Sequence, residues 1–280
     1  MTDIAIATMT RADLDLALEW AAAEGWNPGL NDAALFHAVD PEGFLMARVD
    51  GEPAASISVV AYGESFGFLG LYIARPEFRG RGIGWALWQA GMARLGDRTV
   101  GLDGVVAQQA NYRKSGFALA HRNVRYEGVS RADMPADPRL ARIGQGILPS
   151  IRDYDRSCFP APRDDFVAAW TRARGHVGYA LVEDGDILGY GVVRPCRAGY
   201  KIGPLFAQDE HAADLIFRAL ASEVKGETLA LDPPEPNEAA LDLAERHDLS
   251  PVFETARMYR GPAPDLPLHR VFGITTFELG

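Results

Sequence analysis

The chain has 280 residues, 48% of them hydrophobic and 24% charged, which suits two soluble globular domains of ordinary size, each with its own core. A formal net charge of -10 argues against a general binder of nucleic acid or of anionic membranes, since counterion-release binding needs a basic face. Cys158 and Cys196 are too few for a disulfide framework and no Cys/His cluster has metal spacing, so both thiols read as reduced and no metal site is expected; the acidic N-terminal stretch lacks a signal-type apolar core, which predicts a cytoplasmic protein.

In chain order, Ile4-Ala5-Ile6-Ala7 predicts a first strand, and Thr10 predicts the N-cap of a helix whose apolar spacing runs to Ala23. Breakers at 24–29 then surround Trp26 and Asn27. Residues 43–62 read as a hairpin turning at Asp50-Gly51. Next comes an apolar run, 68–74, halted by Pro76. Arg79-Gly80-Arg81-Gly82-Ile83-Gly84 follows, and helix formers resume to Met92, giving strand, glycine loop and helix. The first N–H groups of a helix lack internal partners and lie at the positive end of its dipole, so this arrangement suits a phosphate, with the arginines adding charge. A strand at 99–103, a short helix at 108–115 and a strand at 118–126 precede a polar linker at 130–138.

The spacing Arg79-x-x-Gly82-x-Gly84 fits neither a P-loop nor the dinucleotide fingerprint. It resembles the pyrophosphate loop of the GNAT superfamily of N-acetyltransferases, and Asn111-Tyr112-Arg113-Lys114-Ser115-Gly116-Phe117 resembles the family's Tyr-x-x-x-Gly-Phe segment. The second half repeats the element order of the first: a hairpin over 178–193 turning at Asp184-Gly185, a central strand at 200–206, and 228–232 restating 99–103. Where the first half has its glycine loop, the second has Gln208-Asp209-Glu210-His211, whose carboxylates would repel a diphosphate, and Ala244 stands where the tyrosine would fall.

The resemblance implies an α/β (α+β) fold of two tandem GNAT-like domains, each a mixed, mostly antiparallel sheet flanked by helices. Residues 1–130 would form the catalytic unit, and 131–280 a degenerate one that shapes the acceptor site. It further implies acetyl-CoA as donor, with CoA as product, held by Arg79, Gly80, Arg81, Gly82, Ile83, Gly84 and Asn111, its pantetheine arm along Tyr72, Ile73 and Ala74. Direct acetyl transfer to a primary amine of a small molecule or peptide would use Tyr112 as the acid that protonates the departing thiolate, a thiol pKa of about 8.5 and a phenol pKa of about 10 being close enough. Asp103 is a candidate base. Trp26, Asn27 and Asp232 are candidate acceptor contacts. The alternative reading is a non-catalytic acyl-CoA sensor that binds without transfer. The closing stretch, 270–278, is strand-like and can complete either sheet.

Overall fold

The computed structural model describes residues 4–280, so residues 1–3 of the expected first unit lie outside the described residues. Strand β1 (Ile4–Thr8) leads into helix α1 (Arg11–Ala23), which Thr10 caps in a reciprocal box with Asp13. A second helix, α2 (Asp32–Val39), then precedes a hairpin of β2 (Phe44–Val49) and β3 (Glu52–Tyr62). Its turn takes φ of 49° at Asp50 and 85° at Gly51, the two successive positive values that a tight two-residue hairpin loop requires and that Asp-Gly tolerates. Strand β4 (Phe66–Ala74), helix α3 (Ile83–Leu95), strand β5 (Thr99–Val105), helix α4 (Gln109–Lys114) and strand β6 (Ala118–Val129) complete the first half.

The second half opens with a short strand, β7 (Leu140–Arg142), and two helices, α5 (Leu148–Arg156) and α6 (Asp164–Trp170). The expected order then repeats: hairpin β8 (Val177–Glu183) and β9 (Asp186–Pro195), strand β10 (Tyr200–Ala207), helix α7 (Glu210–Ser222), strand β11 (Thr228–Leu231), helix α8 (Glu238–Arg246) and strand β12 (Ser250–Arg260). A last strand, β13, covers only Val271–Gly273 of the strand-like closing stretch and pairs with β10.

All the strands join one sheet in the order β1-β2-β3-β4-β5-β12-β6-β11-β10-β9-β8-β7, with β13 beside β10. The halves therefore exchange their last long strands. Strand β12 is inserted against β5 of the first half, β6 lies against β11 of the second, and β6 and β12 pair antiparallel with each other at the centre.

Alternation along the strands sends side chains to opposite faces. On one face Phe44, Met46, Phe68, Tyr190 and Phe206 join α1, α2, α5 and α6 in a single core that spans both halves. On the other, Leu45, Ile57 and Leu69 pack beneath α3, while Val193, Leu205 and Leu229 pack beneath α7 and α8.

Two buried ion pairs fix the exchange. Asp103 on β5 accepts from Nε and Nη2 of Arg257 on β12, both at 2.7 Å, and from Asn123 of β6 at 2.8 Å. Asp232, just past β11, accepts from Nε and Nη2 of Arg125 on β6, again both at 2.7 Å. Their side chains are 0–7% exposed, so removing one partner strands a charge away from water. We expect R257A to destabilise the protein by about 3–5 kcal/mol, a drop in Tm of roughly 10 °C for a chain of this size. By contrast, R131A, which breaks an exposed pair with Asp248, should leave the melt nearly unchanged. Equal melts for the two variants would contradict this account of the sheet.

Candidate active site

Strands β4 and β5 are parallel neighbours only from Phe66–Leu69 to Thr99–Leu102. Beyond that point β4 bulges: Leu71 and Tyr72 together oppose the single residue Ile57 of β3, and Leu71 takes a φ of 46°. The bend splays β4 away from β5 and opens a cleft of about 670 Å³ between residues 69–74 and 102–105. One end of the cleft lies at the N-terminus of α3. Trp26, Phe253, Thr255, Phe277 and Glu278 also line it, four of them from the second half.

The mouth of α3 is built to receive an anion. Gly80 and Gly82 have φ of 75° and 78°, a left-handed turn closed to most residues, and a Cβ built on either meets nothing within 4 Å. No side chain among the described residues caps the helix. The first helical hydrogen bond runs from the Ala86 N–H to the Gly82 carbonyl, leaving the N–H groups of Ile83, Gly84 and Trp85 without a partner inside the helix. Arg79 stands beside this turn, donating through Nε to the Ala74 carbonyl at 2.8 Å and pairing with Glu24 at 2.6 Å. These residues fit a diphosphate, and the open strand edge below fits an extended amide-bearing arm.

Tyr112 reaches the cleft from α4. Its ring stacks on Trp88 at 5.8 Å, and it passes so close to β5 that a Cβ on Gly104 would lie 2.2 Å from the ring. The hydroxyl has no hydrogen-bond partner among the described residues. Burial, with a smaller contribution from Tyr72, pushes its pKa up to about 12, so the phenol stays protonated at neutral pH. The gap to a thiol is wider than free-peptide values suggest, although the same dry walls also raise the pKa of a thiolate formed beside them.

Of the residues singled out from sequence, Trp26, Tyr72, Ile73, Ala74, Arg79, Gly80, Gly82, Gly84, Asp103 and Tyr112 line this one cleft. Others stand off its wall. Arg81 lies over the Phe78 ring at 5.3 Å, Ile83 turns from the first position of α3 into the core, and the Asn111 amide donates to Gln108 at 2.7 Å. Asn27 makes two hydrogen bonds to Ala198 of the second half, at 2.8 and 2.9 Å, so it joins the halves rather than facing the cleft. Asp232 is enclosed with Arg125. Asp103 does reach the wall, but Arg257 and Asn123 occupy its oxygens, which ill suits a proton acceptor. Phe253, Thr255, Phe277 and Glu278 escaped the sequence reading; the only signal near any of them was the strand-like character of the closing stretch.

The matching region of the second half is shut. The Asp209 side chain accepts from the Ala212 N–H at 2.8 Å and caps α7, β13 covers the edge of β10, and Ile274 donates to the Asp232 carbonyl at 3.0 Å. A Cβ on Gly203 would lie 2.4 Å from the Thr275 carbonyl oxygen, so the chain's own closing stretch fills the gap beside β10.

Residues 11–117 match the family model described as Acetyltransferase (GNAT) family, and residues 151–273 match the one described as Acetyltransferase (GNAT) domain. The chain is 31% identical to holothin acyltransferase of Pseudoalteromonas sp. (strain SANK 73390) over 263 residues, covering 94% of this chain and 90% of that protein. In fold it is similar to the crystal structure of an acetyltransferase-like protein from Pyrococcus horikoshii, with a TM-score of 0.84 at 23% identity over 99% of this chain and 96% of the other. It is also similar to a tandem GNAT protein from the clavulanic acid biosynthesis pathway, with a TM-score of 0.64 at 15% identity over 93% of this chain and 100% of the other. Taken with the glycine cradle on α3 and the splayed β4 and β5, these likenesses establish that the chain belongs to the GNAT acyltransferase family and carries two such units in tandem.

Proposed function

We propose that the protein is an acetyl-CoA-dependent N-acetyltransferase that moves an acetyl group directly to a primary amine of a small molecule or peptide. The observation that carries this reading is the convergence, on one cleft, of an uncapped helix N-terminus, a stretch of β4 left without β5 as a neighbour and an unpartnered phenol. Residues 1–130 supply those three features, while 131–280 holds no donor and walls the acceptor end.

Bound acetyl-CoA supplies the activated acyl group as a thioester. The amides of residues 83–85, with Arg79 and Arg81, hold its diphosphate by charge-assisted hydrogen bonds. The edge of β4 at Tyr72, Ile73 and Ala74 that β5 leaves uncovered orients the arm as an added strand would be held. Tyr112 holds the proton destined for the departing sulfur, and its neutral state at pH 7 makes it a donor. The apolar side chains of Trp26, Phe253 and Phe277 exclude water from the acceptor end.

Titration calorimetry with acetyl-CoA tests the first part. The double variant R79A/R81A should bind roughly 10²-fold more weakly, one charge-assisted contact per arginine being worth about tenfold, and unchanged affinity would refute the loop's role. Y112F tests the second part: kcat should fall by about 10²-fold or more while acetyl-CoA affinity stays put. An unaltered kcat would remove the case for a phenol donor. The acceptor can be found by screening amines, amino acids, polyamines and holothin for acetyl-CoA consumption, with mass spectrometry of the product.

A further inference from the structure

An alkylammonium acceptor arrives protonated, so its nitrogen must lose a proton before it can attack, and Asp103 is already committed to Arg257 and Asn123. One other carboxylate deep in the cleft has no such commitment. Glu278 is 4% exposed and lines the cleft, yet its carboxylate accepts no hydrogen bond among the described residues.

Its position is set by the closing stretch. After β13 the chain crosses from the second half to the first, where the Tyr62 hydroxyl donates to the Leu279 carbonyl at 3.1 Å. The backbone of Glu278 lies so close to β4 that a Cβ on Gly70 would sit 2.5 Å from its carbonyl oxygen. Gly70 is the first residue of β4 beyond its pairing with β5, so Glu278 stands at the apex of the splay, which on the acetyltransferase reading receives the thioester end of the donor arm.

The charged groups around Glu278 are accounted for on every side. Lys201 on β10 donates to the Trp26 carbonyl at 3.0 Å, Arg125 on β6 is paired with Asp232, and Arg194 on β9 is paired with Asp32 at the start of α2. Each nearby cation thus has another partner, and none lies within ion-pair distance of Glu278. A buried carboxylate in that state is poised for a cation that comes and goes.

We propose that Glu278 is the base that binds the acceptor's ammonium and takes its proton. The proposal rests on the acetyltransferase reading above. It also defines the acceptor as a primary amine on an apolar body, because Trp26, Phe253 and Phe277 share the wall with this carboxylate. The proton count closes. The ammonium nitrogen gives one proton to a Glu278 oxygen, and its freed lone pair forms the N–C bond as the C–S bond breaks. The nitrogen then sheds a second proton, which restores Tyr112 after the phenol has protonated the sulfur. Glu278 releases its own proton to solvent, so one proton leaves per turnover. Burial raises the pKa of Glu278 from its ordinary value, which strengthens it as a base while it is ionised.

The test compares wild type, E278Q and E278D, with benzylamine as acceptor and with water alone as the nucleophile that hydrolyses acetyl-CoA. At pH 7 we expect E278Q to lower both rates by about 10²-fold, with acetyl-CoA affinity within about twofold of wild type by calorimetry, while E278D recovers part of the loss. The deficit with benzylamine should shrink as pH rises towards the amine's own pKa, because a neutral amine needs no base, and a merely structural glutamate would not give that pH dependence. A full wild-type rate in E278Q, or a deficit that stays constant with pH, overturns the base assignment and leaves the transferase reading intact. Wild-type protein that binds acetyl-CoA but consumes none with water, benzylamine or any acceptor of the screen above overturns the transferase reading, and the base with it.

Discussion

Two Arg–Asp pairs, Arg257 with Asp103 and Arg125 with Asp232, pin the exchanged strands of the two halves in place. Each joins the last long strand of one half to the fifth-strand region of the other, bidentate and out of water, a geometry that tolerates no slip in register. Because β5 is completed by β12 and β11 by β6, neither half carries a finished sheet of its own. The same exchange carries Phe253 and Thr255 of β12, and after them Phe277 and Glu278, onto the wall of a cleft whose glycine turn belongs to the first half.

The two halves also show how one framework is kept open and the other closed by hydrogen-bond accounting. At α3 the helix N-terminus has no side-chain cap and ends in left-handed glycines, leaving donors unspent. At α7 Asp209 satisfies the helix itself and brings negative charge to the place where an anion would sit. The splay of β4 is left open to solvent, whereas the edge of β10 is paired with β13. Unsatisfied donors and a positive φ at Leu71 are costly to maintain, of the order of 1–3 kcal/mol for such a backbone conformation. Their concentration on one side of the molecule supports the site proposed there.

Much of this was legible from residue order. The Asp-Gly pairs at 50–51 and 184–185 announce their hairpins because few other dipeptides accept two positive φ values, and Thr10 with Asp13 announces a capped helix. Arg79 to Gly84 and Tyr112 were visible because glycine spacing and a tyrosine before Gly116-Phe117 are local patterns. The strand exchange was not. Alternation in 118–126 says that a strand forms, not which edge it will meet. Asp103 and Asp232 read as free acids because their partners are 154 and 107 residues away. Glu278 was hidden for the same reason: nothing beside it in sequence tells that the chain doubles back to Gly70.

The central claim is that the N-terminus of α3 grips the diphosphate of a CoA ester, so that its thioester lies between Tyr112 and Glu278. A crystal structure with bound CoA tests this most directly. The account predicts diphosphate density against the amides of residues 83–85 with the sulfur end directed to the apex at Gly70. Density at α7 instead, or a CoA arm lying outside the gap between β4 and β5, would contradict it.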